Sequence, residues 1–279
     1  MNSTLPSHAP VVLAGDFGRR EFGTTAPVLQ AHLLGPLRVV VDGEAVVEWP
    51  GGRARGVLEV LLVEPWRPVP REVLMATFWP ERDAAAARNN LNVAVHGLRR
   101  ALARHAPGHA FVEHRRGCYA LGHAVATWTD VQAFEQALAQ ARAAHAAGQA
   151  AARRCALQAA VDLYGGELLA DERYESWCVP RRRQLHDAAL RAAGQLAEVL
   201  WSAGELSACV SVLQRLLALD ACDEAAHRML MRCHQRLEQS HLAVRQYHVC
   251  VEVLQRELRM IPSPQTVALH REIRGRLAA

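Results

Sequence analysis

The sequence predicts a mostly α-helical protein: an N-terminal winged helix-turn-helix framed by small β-sheets, followed by an all-α, tetratricopeptide-like repeat domain. Three observations carry this prediction. A β-rich opening gives way to three helical stretches and then to a strand-turn-strand ending near residue 121. Beyond about residue 130 the apolar residues recur at helical spacing throughout. The distal half also matches itself at a shift of 34 residues, the tetratricopeptide period.

At 279 residues with 51% hydrophobic content, the chain is long enough for two cores after a short tail. Residues 1–31 mix Pro, Gly, Thr and His without sustained periodicity and are expected to form a poorly ordered leader. The first domain is expected over 32–124, with order beginning near His32. Two β-rich pieces, 33–41 and 45–49, flank Asp42-Gly43, a dipeptide that tolerates the positive φ of a tight hairpin turn. Helices follow over 53–63, 71–78 and 84–104, the last with Asp83 placed to cap it, and Pro65, Pro68 and Pro80 separate them. After Pro107-Gly108, Phe111-Val112, the corner Arg115-Arg116-Gly117, and the alternating Tyr119 and Leu121 predict a terminal hairpin. Sheet, three helices and hairpin is the order of a winged helix-turn-helix.

The second domain is expected over 130–279. Val131, Phe134, Leu138 and Ala141, then Leu157, Ala160, Val161 and Tyr164, mark one pair of helices. The 34-residue shift aligns Ala192 with Ala226, Leu196 with Leu230, Ala208 with Leu242, Val210 with Val244, Leu213 with Tyr247 and Leu217 with Val251. Such pairs cannot bury their own apolar faces and therefore stack, leaving a concave groove. Ser263-Pro264 starts a last helix with Leu269, Ile273 and Leu277 on one face.

Composition narrows the function classes. All 32 basic residues are arginine, and the net charge of +4 permits a nucleic-acid partner without arguing for one. No apolar run reaches membrane-span length and no signal-like block opens the chain, so a soluble cytoplasmic protein is expected, with no membrane partner. The seven cysteines are scattered and never form C-x-x-C, which fits reduced, helix-buried thiols. There is no phosphate loop, nucleophile elbow or H-E-x-x-H, so neither an enzyme nor a cofactor is expected.

The third helix carries the chemistry. Leu91, Val95, Leu98 and Leu102 form its core stripe, while Asn89, Asn92, His96 and Arg100 share the opposite side, with Arg88 and Arg99 beside them. Asn pairs bidentately with adenine and Arg with guanine at major-groove edges, so this side is equipped to read bases. The cationic tip His114-Arg115-Arg116 follows close behind, where a wing grips phosphates.

Leu34-Gly35-Pro36-Leu37 with Asp42-Gly43, Arg71-Glu72-Val73-Leu74 with Phe78-Trp79-Pro80, and Ala87-Arg88-Asn89-Asn90-Leu91 running into Leu98-Arg99-Arg100-Ala101-Leu102 together resemble the OmpR-type winged helix of SARP-like regulators. The region after Asp130 is similar to their bacterial transcriptional activation domain, especially around Glu224, Ala226, His227 and Arg245-Gln246-Tyr247. The resemblance implies binding to double-stranded promoter DNA, self-association on tandem direct repeats, and recruitment of RNA polymerase as an activator. It makes the stretch from Asn90 to Arg100 the recognition helix and Arg115-Arg116 the wing. Cys118 departs from the Gly or Pro such wings carry before the aromatic residue, and Ala221 from the proline of the repeat turn.

Two other constellations have simpler readings. Arg181-Arg182-Arg183 is a candidate ligand or partner contact, weighed against a solvated first helical turn. His227, Cys233, His234, His248 and Cys250 match no zinc spacing, and no bound metal is expected. The rival to the regulator is a protein-interaction scaffold whose repeat groove holds a peptide or regulatory ligand, and a repressor with the same fold stays open.

Overall fold

A computed structural model describes residues 26–171 and 176–278. The chain opens with an antiparallel set, β1 (Val28–His32), β2 (Arg38–Val41) and β3 (Glu44–Ala45). The expected turn forms: Asp42 and Gly43 both take positive φ, at 49° and 89°, and pair Val41 with Glu44 across a two-residue loop. Strand β1 starts at Val28, so the end of the expected leader is strand; residues 1–25 lie outside the described residues. Leu29 and Ala31 alternate inward along β1, and this burial holds the strand in the sheet. The single β-rich piece expected over 33–41 divides, because Leu34 and Gly35 leave the sheet to bridge Leu168 in the repeat domain.

Three helices follow, α1 (Gly52–Val63), α2 (Arg71–Phe78) and α3 (Ala84–Ala103). Asp83 caps α3, its carboxylate accepting from the Ala86 N–H at 2.8 Å. A second sheet, order β4-β6-β5, joins β4 (Val69–Pro70) to the hairpin of β5 (Val112–Arg115) and β6 (Cys118–Leu121). Strand β7 (Ala126–Thr129), in the gap between the expected domains, runs parallel to β1 and completes the first sheet as β3-β2-β1-β7.

From β7 the chain enters the helical array: α4 (Asp130–Ala146), α5 (Ala150–Leu163), α6 (Val179–Ser202), α7 (Leu206–Leu219), α8 (Glu224–Arg236), α9 (Ser240–Val253) and α10 (Pro264–Ala278). The 34-residue register holds where it matters, since Ala192 and Ala226, and Leu196 and Leu230, are buried equivalents. Ala208 is exposed and Leu242 half-buried; the inward pair one position on is Cys209 and Ala243. On α10, Leu269 and Ile273 are buried together with Met231 and Ala243, and the side chain of Leu277 lies outside the described residues.

One apolar cluster runs from Leu29 through α1, α3, α4 and α6 to Cys233, so the two halves share a core. Their joint is also polar. Asp130, buried at the start of α4, accepts from the Leu33 N–H at 2.8 and 2.9 Å and from the Leu34 N–H at 2.9 Å. Leu33 and Gly35 carbonyls accept from the Leu169 and Ala170 N–H groups, and Arg55 of α1 pairs with Asp171.

Candidate nucleic-acid interface

Helix α3 separates its faces cleanly. Leu91, Ala94, Val95, Leu98 and Leu102 are buried, whereas Arg88, Asn89, Asn92, His96, Arg99 and Arg100 are exposed and Asn90 is half-buried. The helix contains no acidic residue, so an approaching phosphate meets no opposing carboxylate on it. Gly97 lets the helix lie close to the β3–α1 loop, since a Cβ there would come within 2.9 Å of Pro50.

The hairpin is fastened along this helix. Arg99 donates from Nε to the Val112 carbonyl at 2.9 Å, and the Tyr119 hydroxyl donates to Asn92 Oδ1 at 3.3 Å. Asn92 therefore keeps its NH2 group for an outside acceptor, while Arg99 gives its Nε–H to holding the wing. At the hairpin tip Arg116 (φ 50°) and Gly117 (φ 80°) form the left-handed two-residue turn. Cys118, which departs from the family pattern, sits in β6 opposite Arg115 and leaves this turn intact. The Gly117 carbonyl accepts from the Arg71 N–H, tying the tip to the start of α2.

The two wing arginines differ. Arg115 is paired with Glu113 at 2.8 Å, and the Glu113 carboxyl is held below its ordinary value, chiefly by the His123 N–H. Arg116 makes no ion pair among the described residues and projects from the turn, exposed. Sequence reasoning missed one residue of this face: Val93 is 65% exposed between Asn89, Asn92 and His96. A large apolar side chain so placed suits a thymine methyl group, and its helical offset from Asn89 was the signal that would have found it.

The second arginine cluster divides. Arg181 pairs with Glu135 at 2.9 Å, and Arg182 donates to the carbonyls of Leu168 and Leu169, at 2.8 and 3.2 Å. Leu169 is fully buried with a left-handed φ of 51°, so Arg182 clamps a strained turn. Only Arg183 of the three is exposed, and the first turn of α6 is accordingly less solvated than the arginine run suggests. His227 and His234 are buried and hydrogen-bonded, His227 between the Ala221 carbonyl and Gln246, His234 to Gln239. Among the described residues no helix is long and apolar enough to cross a membrane.

A family model described as the bacterial transcriptional activator domain matches residues 129–274. The transcriptional regulatory protein MoaR1 of Mycobacterium tuberculosis is 26% identical over 264 residues, covering 90% of this chain and 80% of that protein. MoaR1 of Mycobacterium bovis matches over the same span at the same identity. Among solved structures, Mycobacterium tuberculosis EmbR in complex with a low affinity phosphopeptide superposes with a TM-score of 0.69 at 24% identity, a likeness of fold. That match covers 90% of this chain but 66% of the EmbR chain, a little under two thirds.

Proposed function

The chain belongs to the bacterial transcriptional activator domain family as a SARP-like transcriptional regulator, and from that premise we propose that it binds promoter DNA in a sequence-specific manner and activates transcription. The observation that carries the proposal is the acid-free face of α3, where Asn89, Asn92, Val93, His96 and Arg100 stand exposed beside the Arg116 wing tip. Helix α3 enters the major groove and the wing holds the backbone, phosphates supplying affinity and base edges selectivity. The reader extends over 32–124 with the strand β1 that precedes it, and the helical domain from 130 onward recruits RNA polymerase. On tandem operators two copies bind head to tail.

The test is selection of bound duplexes from a random library, followed by fluorescence anisotropy on the selected site at two salt concentrations. A defined motif whose affinity falls with salt is expected. Binding without sequence preference would overturn the proposal and favour a scaffold that docks protein through the same surfaces.

A further inference from the structure

The helical domain carries a second cationic site, unrelated to the wing. Helices α6, α8 and α10 are the alternate members of the stack, and between them opens a cleft of about 430 Å³. Its walls carry Trp201 from the end of α6, Arg232, Gln235 and Arg236 from α8, and Glu272 and Arg276 from α10. Three arginines thus face one acid. Arg276 and Glu272 neutralise each other at 2.9 Å, leaving Arg232 and Arg236 in excess. Both are exposed and neither has an ion pair among the described residues.

Like charges four residues apart on a helix repel each other, so this arrangement costs stability unless an anion is supplied from outside. Arg236 is also held in place: its guanidinium carbon lies 4.7 Å from the centroid of the Trp201 ring, a stacking that fixes the planar fork before any partner arrives. Gln235 adds an amide whose Nε2 is buried without a hydrogen-bond partner among the described residues. Ala268 and Leu269 give the cleft an apolar part beside the cations.

We propose that this cleft is a docking site for an acidic peptide segment of a protein partner, its carboxylates taken by Arg232 and Arg236 and an adjoining apolar side chain set against Trp201 and Leu269. The inference rests on the reading of the helical domain as the partner-recruiting half and names the chemistry of the partner. A peptide suits the geometry better than duplex DNA does. A recess between helices with an apolar patch among its polar walls admits single side chains, whereas a base-paired duplex presents its phosphates from a convex surface to flat or projecting ones.

The experiment uses the full chain and a fluorescein-labelled peptide of repeating Asp-Glu-Leu, with the Asn-Gln-Leu peptide as control and the selected duplex titrated in parallel. The acidic peptide should bind and the neutral one should not. Arg232→Glu with Arg236→Glu should weaken peptide binding by about tenfold or more while leaving duplex affinity unchanged. Arg236→Lys, which keeps the charge but loses the planar stack, should fall in between. Equal peptide affinity for wild type and double variant, equal binding of the neutral peptide, or displacement of the peptide by duplex would each overturn the assignment. Duplex binding by the wild type reports separately on the DNA-reading half, so the two readings fail independently.

Discussion

Arg115 and Arg116 are adjacent in sequence but unequal in what they offer a phosphate. Arg115 spends its charge on Glu113, and Arg116 projects from a left-handed turn without an ion pair among the described residues. Arg116→Ala should therefore weaken binding to all duplexes and lower the salt slope by about 1, with a smaller effect from Arg115→Ala, both read from anisotropy across a salt series. Asn92 behaves differently. Its carbonyl oxygen already accepts from Tyr119, so its remaining NH2 serves an acceptor such as guanine N7 or thymine O4. Asn92→Ala and His96→Ala should each cost about 1–3 kcal/mol on the preferred site and relax preference at one position, visible as a flattened selection motif. The helical periodicity of the sequence assigned this face correctly to solvent. It could not separate Arg99 from Arg100, because only the tertiary fold brings the Arg99 Nε–H to a carbonyl of β5, thirteen residues further along the chain.

Among the elements, α3 depends on the absence of a side chain at Gly97. Gly97→Ala would drive a methyl group into Pro50, and the resulting overpacking should cost about 1–3 kcal/mol, measured by urea denaturation, despite the gain in helix propensity. Helix α10 is fastened by Glu224 of α8, which accepts from the Ser263 N–H at 2.8 Å and from the Ser263 and Thr266 hydroxyls. Burial alone would raise the Glu224 pKa, but these donors and Arg228 hold it below the ordinary 4.5. A depressed folded value means that the stabilisation is present above 4.5 and is lost as pH falls through the folded value. Hydrogen exchange in α10 should accelerate on acidification through that window, and Glu224→Gln should remove the pH dependence. The long helices were legible because their apolar stripes repeat over several turns. The short strands β4 and β7 were not, since two or four residues carry too little periodicity and their partners lie far along the chain.

At the scale of the whole molecule, the winged-helix half and the helical domain do not behave as beads on a linker. They share one apolar cluster, a parallel strand pair between β1 and β7, and the buried carboxylate of Asp130. A single calorimetric unfolding transition is expected, and two resolved transitions would contradict the shared core. Asp130→Ala should strand the Leu33 and Leu34 N–H groups at about 1–3 kcal/mol apiece, lowering the melting temperature of both halves together. Orientation of the wing relative to the cleft at Arg232 and Arg236 is then set by the fold, so under the proposed function a partner held at one end would have a defined position relative to DNA held at the other.

Local patterns in the chain were enough to specify the two-part architecture, helix α3 with its exposed side, the hairpin turn and the 34-residue repeat, because each rests on periodicity or on a turn residue whose conformational preference is intrinsic. Pairings across long sequence separation were beyond such patterns: the junction of residues 33–35 with Leu168 and Asp130, the capture of Arg182 by a strained turn, and the meeting of Trp201 with Arg236. Which arginines are free to bind and which are consumed within the fold follows from those pairings. A guanidinium acquires its role from the acceptor that packing brings within reach, and no spacing along the chain encodes that acceptor.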